Sequence, residues 1–344
     1  MQDTLQQFEQ RKRDHIALAL MPENEAREWN ALDAIRLRHE ALPELDFDEL
    51  ALTTTRFGQT VSTPLLVSSM TAGHRDAARV NRHLMEACSI RGWAMGVGSQ
   101  RRELTDTAAA AEWASLVRDF PNVARFGNLG IAQLIVTPIV EVERLVDNLE
   151  ASAFIIHCNP LQECIQPEGT PSFRGALEAV KRLAHALPVP VIVKETGCGF
   201  SADTLKRLAD TAIAAVDVSG LGGTHWGRIE SHRTGDDARR TAAGAAFRDW
   251  GIDTVSSLRA AVESGMPYEV WGSGGVRHGL DVARLLALGA STVGLAKPML
   301  EPALSSVEAV CECMEATEYA LKVAMFCTGS ATISMLRGKY AIER

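Results

Sequence analysis

The chain has 344 residues, 46% of them hydrophobic and 23% charged, with a formal net charge of -8; this is the composition of a globular protein with a large buried core. The negative balance argues against a nucleic-acid partner, whose phosphates call for an excess of Lys and Arg, but it leaves room for a small anionic ligand held by a few cations and backbone N–H groups. There is no basic-then-apolar leader and no apolar run long enough to span a bilayer, and seven scattered cysteines argue against a disulfide framework, so the chain reads as cytoplasmic, with no membrane partner.

Residues 1–63 are polar, broken by Pro22 and Pro43, and read as an N-terminal extension. Within it Arg11, Lys12, Arg13, Asp14 and His15 read locally as a charged helix face, and residues 26–38 form an amphipathic stretch. Residues 64–344 read as one (β/α)8 TIM barrel with C-terminal helices. In that part, short β-rich runs (65–69, 93–97, 123–127, 153–157, 190–194, 215–219, 269–273 and 292–296) alternate with helical patterns (76–91, 109–120, 139–149, 173–187, 201–212, 254–264, 278–288 and from 307 onward). Eight such units suit a closed barrel of normal length; a doubly wound open sheet uses the same local pattern. Cys311 and Cys313 lack a second ligand pair and read as thiols on the last helix.

Barrel sites are built from the loops that follow the strands. The polar residues of this chain cluster at those points: Ser69, Met70 and Thr71; Ser99, Gln100 and Arg101; Asn128; the run His157-Cys158-Asn159-Pro160-Leu161-Gln162-Glu163; Lys194 and Glu195; Gly220 to Thr224; and Gly274-Gly275. After strand seven comes Ser273-Gly274-Gly275-Val276-Arg277, and after strand eight Gly294-Leu295-Ala296-Lys297-Pro298. Glycines beside a cation at a helix start suit the usual barrel phosphate site, and equally fit tight turns without a ligand. Gly197-Cys198-Gly199 through Ala202, with Asp217 one strand later, matches a dinucleotide fingerprint, but Glu195 would sit poorly beside a pyrophosphate.

The runs Arg11-Lys12-Arg13-Asp14-His15, Ser69-Met70-Thr71-Ala72-Gly73, Gly98-Ser99-Gln100-Arg101, His157 to Glu163, and Lys194-Glu195-Thr196-Gly197-Cys198-Gly199, in that order, resemble the type 2 isopentenyl-diphosphate isomerases. The resemblance extends to about Pro298, and the His-x-Asn-x-x-Gln-Glu run is its most specific part. It implies the 1,3-allylic shift that interconverts isopentenyl and dimethylallyl diphosphate, with reduced FMN and Mg2+, NADPH as reductant, and a homo-oligomer (tetramer or octamer). It implies that Ser69, Met70, Thr71, Ser99, Asn128, Lys194, Ser219, Thr224, Gly274, Gly275, Arg277, Ala296 and Lys297 hold FMN. Arg11, Lys12, His15, Ser99, Gln100, Arg101, His157, Asn159 and Gln162 would hold substrate, the first three on an arm that covers it. Glu163 would bind Mg2+, and Gln162, Lys194 and His157 would serve catalysis. Lys194 also fits a pairing with Glu195 or another carboxylate, or a Schiff-base lysine.

Some positions depart from the family pattern: His225 and Gly227 stand where Ser and Ala are common, Cys158 where Leu is typical, and Lys297 where Arg is usual. An FMN-dependent 2-hydroxy-acid oxidase or dehydrogenase would share the phosphate loops, recruit His225 as base and Arg228 as carboxylate clamp, and leave Gln162 and Glu163 without a role. A non-catalytic phospholigand-binding barrel is the third reading.

Overall fold

The computed structural model describes residues 5–70 and 77–342, apart from the side chains of residues 5–10, 12, 107 and 108. Eight parallel strands close a barrel: β1 (Leu65–Val67), β2 (Ala94–Gly96), β3 (Arg125–Gly130), β4 (Ala153–Cys158), β5 (Val191–Glu195), β6 (Ala215–Asp217), β7 (Glu269–Gly272) and β8 (Thr292–Leu295), with β8 returning to β1. All eight expected strands are there, and the open-sheet alternative falls with the closure. Alternation divides their side chains. Leu66, Phe126, Ile155, Ile192 and Trp271 fill the interior, while neighbours such as Val67, Phe154, Ile156 and Val193 pack outward against the helices.

The helices follow from their buried stripes. In Ile139–Leu149 the buried positions are Val142, Leu145, Val146 and Leu149, one face of a 3.6-residue repeat, and the helix ends where Glu150 turns left-handed at φ 47°. Gly279–Leu288 begins at His278, whose ring accepts from the Asp281 N–H, and stops at Gly289 with φ 116°. The long helix Val307–Cys327 lies on Ala77–Arg91 and Gly279–Leu288. Its Cys311 and Cys313 are free thiols, and no group of three metal-ligating side chains occurs among the described residues. No helix among them is long and apolar enough to cross a membrane.

A hairpin, Thr54–Arg56 with Gln59–Val61, plugs the N-terminal mouth of the barrel. Arg56 stands 5.8 Å above the ring centres of Phe126 and of Trp271 and donates to the carbonyls of Thr63 and Leu65. Burial pushes its guanidinium down to about 10, with Glu269 pulling the other way. The chambers that carry the chemistry-bearing loop residues open at the opposite, C-terminal face.

The extension departs from expectation. Residues 26–38 do not form an amphipathic helix: they make 3-10 turns (Arg27–Trp29 and Ala31–Ala34) and a short strand, Ile35–Leu37, paired antiparallel with Tyr340–Ile342. Tertiary partners override the local period there, because Asn30 both caps its own turn and donates to the Gly275 carbonyl at 2.8 Å. The long helix of the extension is instead Leu5–Leu20, which carries the basic cluster.

Candidate active site

Two connected chambers open at the C-terminal face, one of about 380 Å³ and one of about 120 Å³. His15, Ser69, Met70, Lys194, Thr196 and Trp226 line both.

Six glycines stand in the wall of the larger chamber. Gly274 and Gly275 have φ of +92° and +75°, and a Cβ on Gly275 would come within 2.6 Å of the Gly222 carbonyl oxygen. Only glycine permits both the left-handed turn and that approach. Lys297 lines this chamber and opens the helix Lys297–Ser305, and its ammonium donates to the Leu20 carbonyl at 3.2 Å. The hydroxyls of Ser68 and Ser69 are buried without a hydrogen-bond partner among the described residues.

Lys194, at the end of β5, is in register with His157 on one side and Asp217 on the other. Its Nζ is 2.9 Å from Asp217 Oδ2 and donates to Ser273 Oγ at 2.9 Å, while Ser273 Oγ donates to Asp217 Oδ1 at 2.7 Å. The partner of Lys194 is therefore Asp217, and the pairing with Glu195 is not formed. Glu195 turns away and accepts from the N–H groups of Thr196, Cys198 and Gly199 at 2.6, 2.5 and 3.1 Å. Burial pushes its carboxyl up to about 7 against those bonds. The same bonds consume the loop donors a pyrophosphate would need, and Asp217 is committed to Lys194, so the dinucleotide fingerprint is a coincidence of sequence.

The N-terminal extension completes this chamber. The Ala26 N–H donates to the Gly223 carbonyl at 2.8 Å, Glu25 carries an ion pair with Lys297 and one with Arg27, and Arg277 reaches Asp33 and Asp281. The two cations beside the glycine loops are thus already paired with carboxylates. Arg228, buried in the protein, anchors the segment by donating to the Glu23 and Glu25 carbonyls and pairing with Glu28 and Asp249.

In the smaller chamber, side chains hold one another. His157 Nδ1 lies 2.8 Å from Asn128 Oδ1, and Asn128 Nδ2 donates to the Val97 carbonyl at 3.1 Å. Asn159 Nδ2 donates to Gln162 Oε1 at 3.0 Å and to Glu163 Oε1 at 3.1 Å; Glu163 Oε2 accepts from the Thr170 N–H. Asn159 Oδ1 is buried with no partner among the described residues. Pro160 at the first helical position starts Pro160–Ile165, which carries Gln162 and Glu163 on its first turn.

Gln162 Nε2 donates to Glu230 Oε1 at 2.8 Å. Glu230 is fully buried and also meets His15 Nε2 at 2.9 Å and Arg233 Nη1 at 2.6 Å. Burial alone would raise its carboxyl; the hydrogen bond and charge of His15, with Arg233 and Gln162, outweigh that and hold it at about 2. The arm helix reaches the chamber through Arg11 and His15, and His15 meets the Trp226 ring edge-on at 5.1 Å.

Most expected residues fall at these chambers. Ser69, Met70, Lys194, Ser219, Thr224, Gly274, Gly275, Arg277, Ala296 and Lys297 line the larger one. Arg11, His15, Ser99, Arg101, His157, Asn159, Gln162 and Glu163 line the smaller. Thr71 and the side chain of Lys12 lie outside the described ones. Two expectations change. Asn128, expected at the flavin, lines the smaller chamber, its amide committed to Val97 and His157; Ser99, expected at flavin and substrate alike, lines the smaller one too. Gln100, expected on the substrate, lines neither and is only 1% exposed, because its amide is turned into the protein. Sequence reasoning missed Glu230 and Arg233, which no motif marks, and met Asp217 only in the dinucleotide fingerprint rather than as the partner of Lys194.

His225 and Arg228 line neither chamber. His225 Nδ1 accepts from the Arg228 N–H, its Nε2 lies 3.0 Å from the Trp250 carbonyl, and burial pushes the imidazole down. The base and clamp of a 2-hydroxy-acid oxidase are therefore not available here.

A family model described as FMN-dependent dehydrogenase matches residues 157–343. An isopentenyl-diphosphate delta-isomerase of Legionella pneumophila (strain Paris) is 59% identical over 339 residues, covering 98% of this chain and 99% of that one. One of Bdellovibrio bacteriovorus is 49% identical over the full length of both. Among solved structures, a soluble mutant of the (S)-mandelate dehydrogenase from Pseudomonas putida overlays with a TM-score of 0.68 at 16% identity, covering 96% of this chain and 99% of that one. A flavocytochrome b2 variant overlays with a TM-score of 0.68, also at 16% identity, over 95% of this chain and 81% of that one. The structural likenesses speak for the FMN barrel fold, the sequence relatives for the reaction class: the chain belongs to the FMN-dependent isopentenyl-diphosphate delta-isomerases.

Proposed function

We propose that this enzyme interconverts isopentenyl and dimethylallyl diphosphate, with FMN in the larger chamber and the diphosphate in the smaller. The observation that carries the reading is the interlocked set His157, Asn159, Gln162 and Glu163, joined to His15 and Glu230, directly beside a glycine-walled cavity.

The residues present fit FMN. Unpartnered serine hydroxyls await a polar ligand, the Gly274-Gly275 turn and the Lys297 helix start suit a phosphate, and Lys194 offers a cation deep in the chamber. Reduced FMN, when bound, supplies the acid and base for moving a proton at an alkene. Lys194, oriented by Asp217 and Ser273, counters negative charge on the flavin edge. Arg11, His15, Arg101 and His157 bind the diphosphate. His157 presents Nε2 and must carry both ring protons to donate there, because Nδ1 is bonded to Asn128. Gln162, gripped by Glu230 and Asn159, holds a fixed amide against the alkene. Met70 and Trp226 line both chambers and keep water from a substrate with tertiary carbocation character.

We further infer that Glu163, with the unpartnered Asn159 oxygen, holds Mg2+ together with diphosphate oxygens. One carboxylate is enough for this metal when phosphates share it. The resemblance supports NADPH as reductant, a cytoplasmic location, a homo-oligomer of four or eight, and a division into an extension with a substrate-covering arm (1–63) and the barrel (64–344).

The test is to incubate the FMN-reduced protein with Mg2+ and isopentenyl diphosphate in D2O. Deuterium in dimethylallyl diphosphate is the expected result. No product, or flavin reduction by a 2-hydroxy acid instead, overturns the reading.

A further inference from the structure

We propose that Gln100 and Glu103 are positioning residues that, through Asn128, set the ring orientation of His157 and keep a proton on its Nδ1. This rests on the reading that His157 meets the diphosphate.

The observation is a broken rung in the barrel. Between β2 and β3 the parallel ladder runs from Met95 N–H to the Ala124 carbonyl and from Val97 N–H to the Phe126 carbonyl. The next rung of a parallel pair would join Asn128 N–H to the Val97 carbonyl. Two side-chain amides replace it. Asn128 Nδ2 takes the Val97 carbonyl at 3.1 Å, and Gln100 Oε1 takes the Asn128 N–H at 3.0 Å. The substitution fixes both amides. With Nδ2 on Val97, Asn128 turns its oxygen to His157 Nδ1 at 2.8 Å, so Nδ1 carries a proton.

Gln100 needs the same discipline. Its oxygen faces the Asn128 N–H only if its NH2 has an acceptor on the opposite side. Glu103 Oε2 supplies one at 3.1 Å; the Leu145 carbonyl, at 3.5 Å, is a poor second. Glu103 is 4% exposed, lies three residues on in the same 3-10 turn, and has Trp113 and Arg144 beside it. A buried carboxyl that lines neither chamber is costly to keep, and holding Gln100 accounts for it. Burial raises its carboxyl to about 7, against the Gln100 and Trp113 hydrogen bonds and the Arg144 charge.

The experiment compares the wild-type holoenzyme with Glu103→Leu, Glu103→Gln, Gln100→Met and His157→Ala, reading FMN affinity, KM, kcat and the imidazole nitrogen resonances of His157. Glu103→Leu and Gln100→Met should each raise the KM for isopentenyl diphosphate about tenfold, with kcat changed about twofold or less. FMN affinity should hold, and the His157 resonances should show Nδ1 no longer uniformly protonated. Glu103→Gln should restore all of these, since its Oε1 still accepts from Gln100. If Glu103→Leu does not fold, Gln100→Met carries the same readouts. A KM near wild type with an unmixed Nδ1-protonated His157 in either variant overturns the proposal. If His157→Ala itself leaves KM unchanged, the role of His157 in diphosphate binding has failed, while the Nδ1 resonance still decides the positioning chain.

Discussion

The two chambers are built on opposite principles. Around the larger one, six glycines stand in the wall, and Lys297 and Arg277 are tied to carboxylates of the extension. Around the smaller one, the central polar groups are fixed by other side chains: Asn159 by Gln162 and Glu163, Gln162 by Glu230, His157 by Asn128. A backbone wall recognises a common shape such as a phosphate and asks little of side-chain identity beyond glycine. A wall of interlocked side chains orients a particular reacting group, and each member depends on the next.

The largest expected effect would break the second wall at its centre. Gln162→Ala, which abandons Glu230 and Asn159 together, should lower kcat by roughly 10²–10⁴-fold while the purified protein keeps its flavin absorbance. Near-normal turnover would remove Gln162 from the reaction.

Glu230 offers the next test, through acid stability. Its carboxyl sits at about 2 in the fold against an ordinary value of 4.5. A depressed acid contributes stability that is complete above about 4.5 and is lost as pH falls through that window toward 2. That contribution is about 3 kcal/mol by linkage. Denaturant unfolding followed between pH 6 and 2.5 should show the wild type losing its advantage over Glu230→Gln; parallel curves would mean that the buried carboxylate is not held as described.

On the other wall, Gly275→Ala places a methyl 2.6 Å from the Gly222 carbonyl oxygen at a φ of +75°. FMN affinity should fall about tenfold by the strain of such a position, with kcat at saturating FMN nearly unchanged. Fluorescence titration reads this, and an unaltered affinity would show that the glycine loops do not shape the flavin seat. The smallest effect belongs to Arg27→Ala. Arg27 is 66% exposed in its pair with Glu25, so its loss should change FMN affinity by about threefold at most. A larger change would make that rim charge part of the phosphate seat.

The same contrast explains what the sequence made legible. The eight strands could be read because each apolar run stops at Gly, Ser or another polar residue, and the run from His157 to Glu163 because its members are close in the chain. Glu230 could not be read, since its partner Gln162 lies 68 residues away and an isolated Glu in a short helix looks like any solvated acid. Residues 26–38 misled for a related reason. Their polar positions, Asn30 and Asp33, are set by Gly275 and Arg277 across the fold, and an apparent helical period survived in the pattern by chance. Gln100 misled because its neighbours Ser99 and Arg101 do face the chamber, whereas its own amide repairs a strand ladder.

The strand pair that joins Ile35–Leu37 to Tyr340–Ile342 has a consequence in time. During synthesis at roughly 5–20 residues per second, residues 35–37 leave the ribosome early and wait tens of seconds for residues 340–342. Until then the strap from Glu25 to Asp33 is held by its own contacts with Gly223, Arg228, Gly275 and Arg277. The seam between residues 35–37 and 340–342 is thus closed after the eight barrel strands have been made.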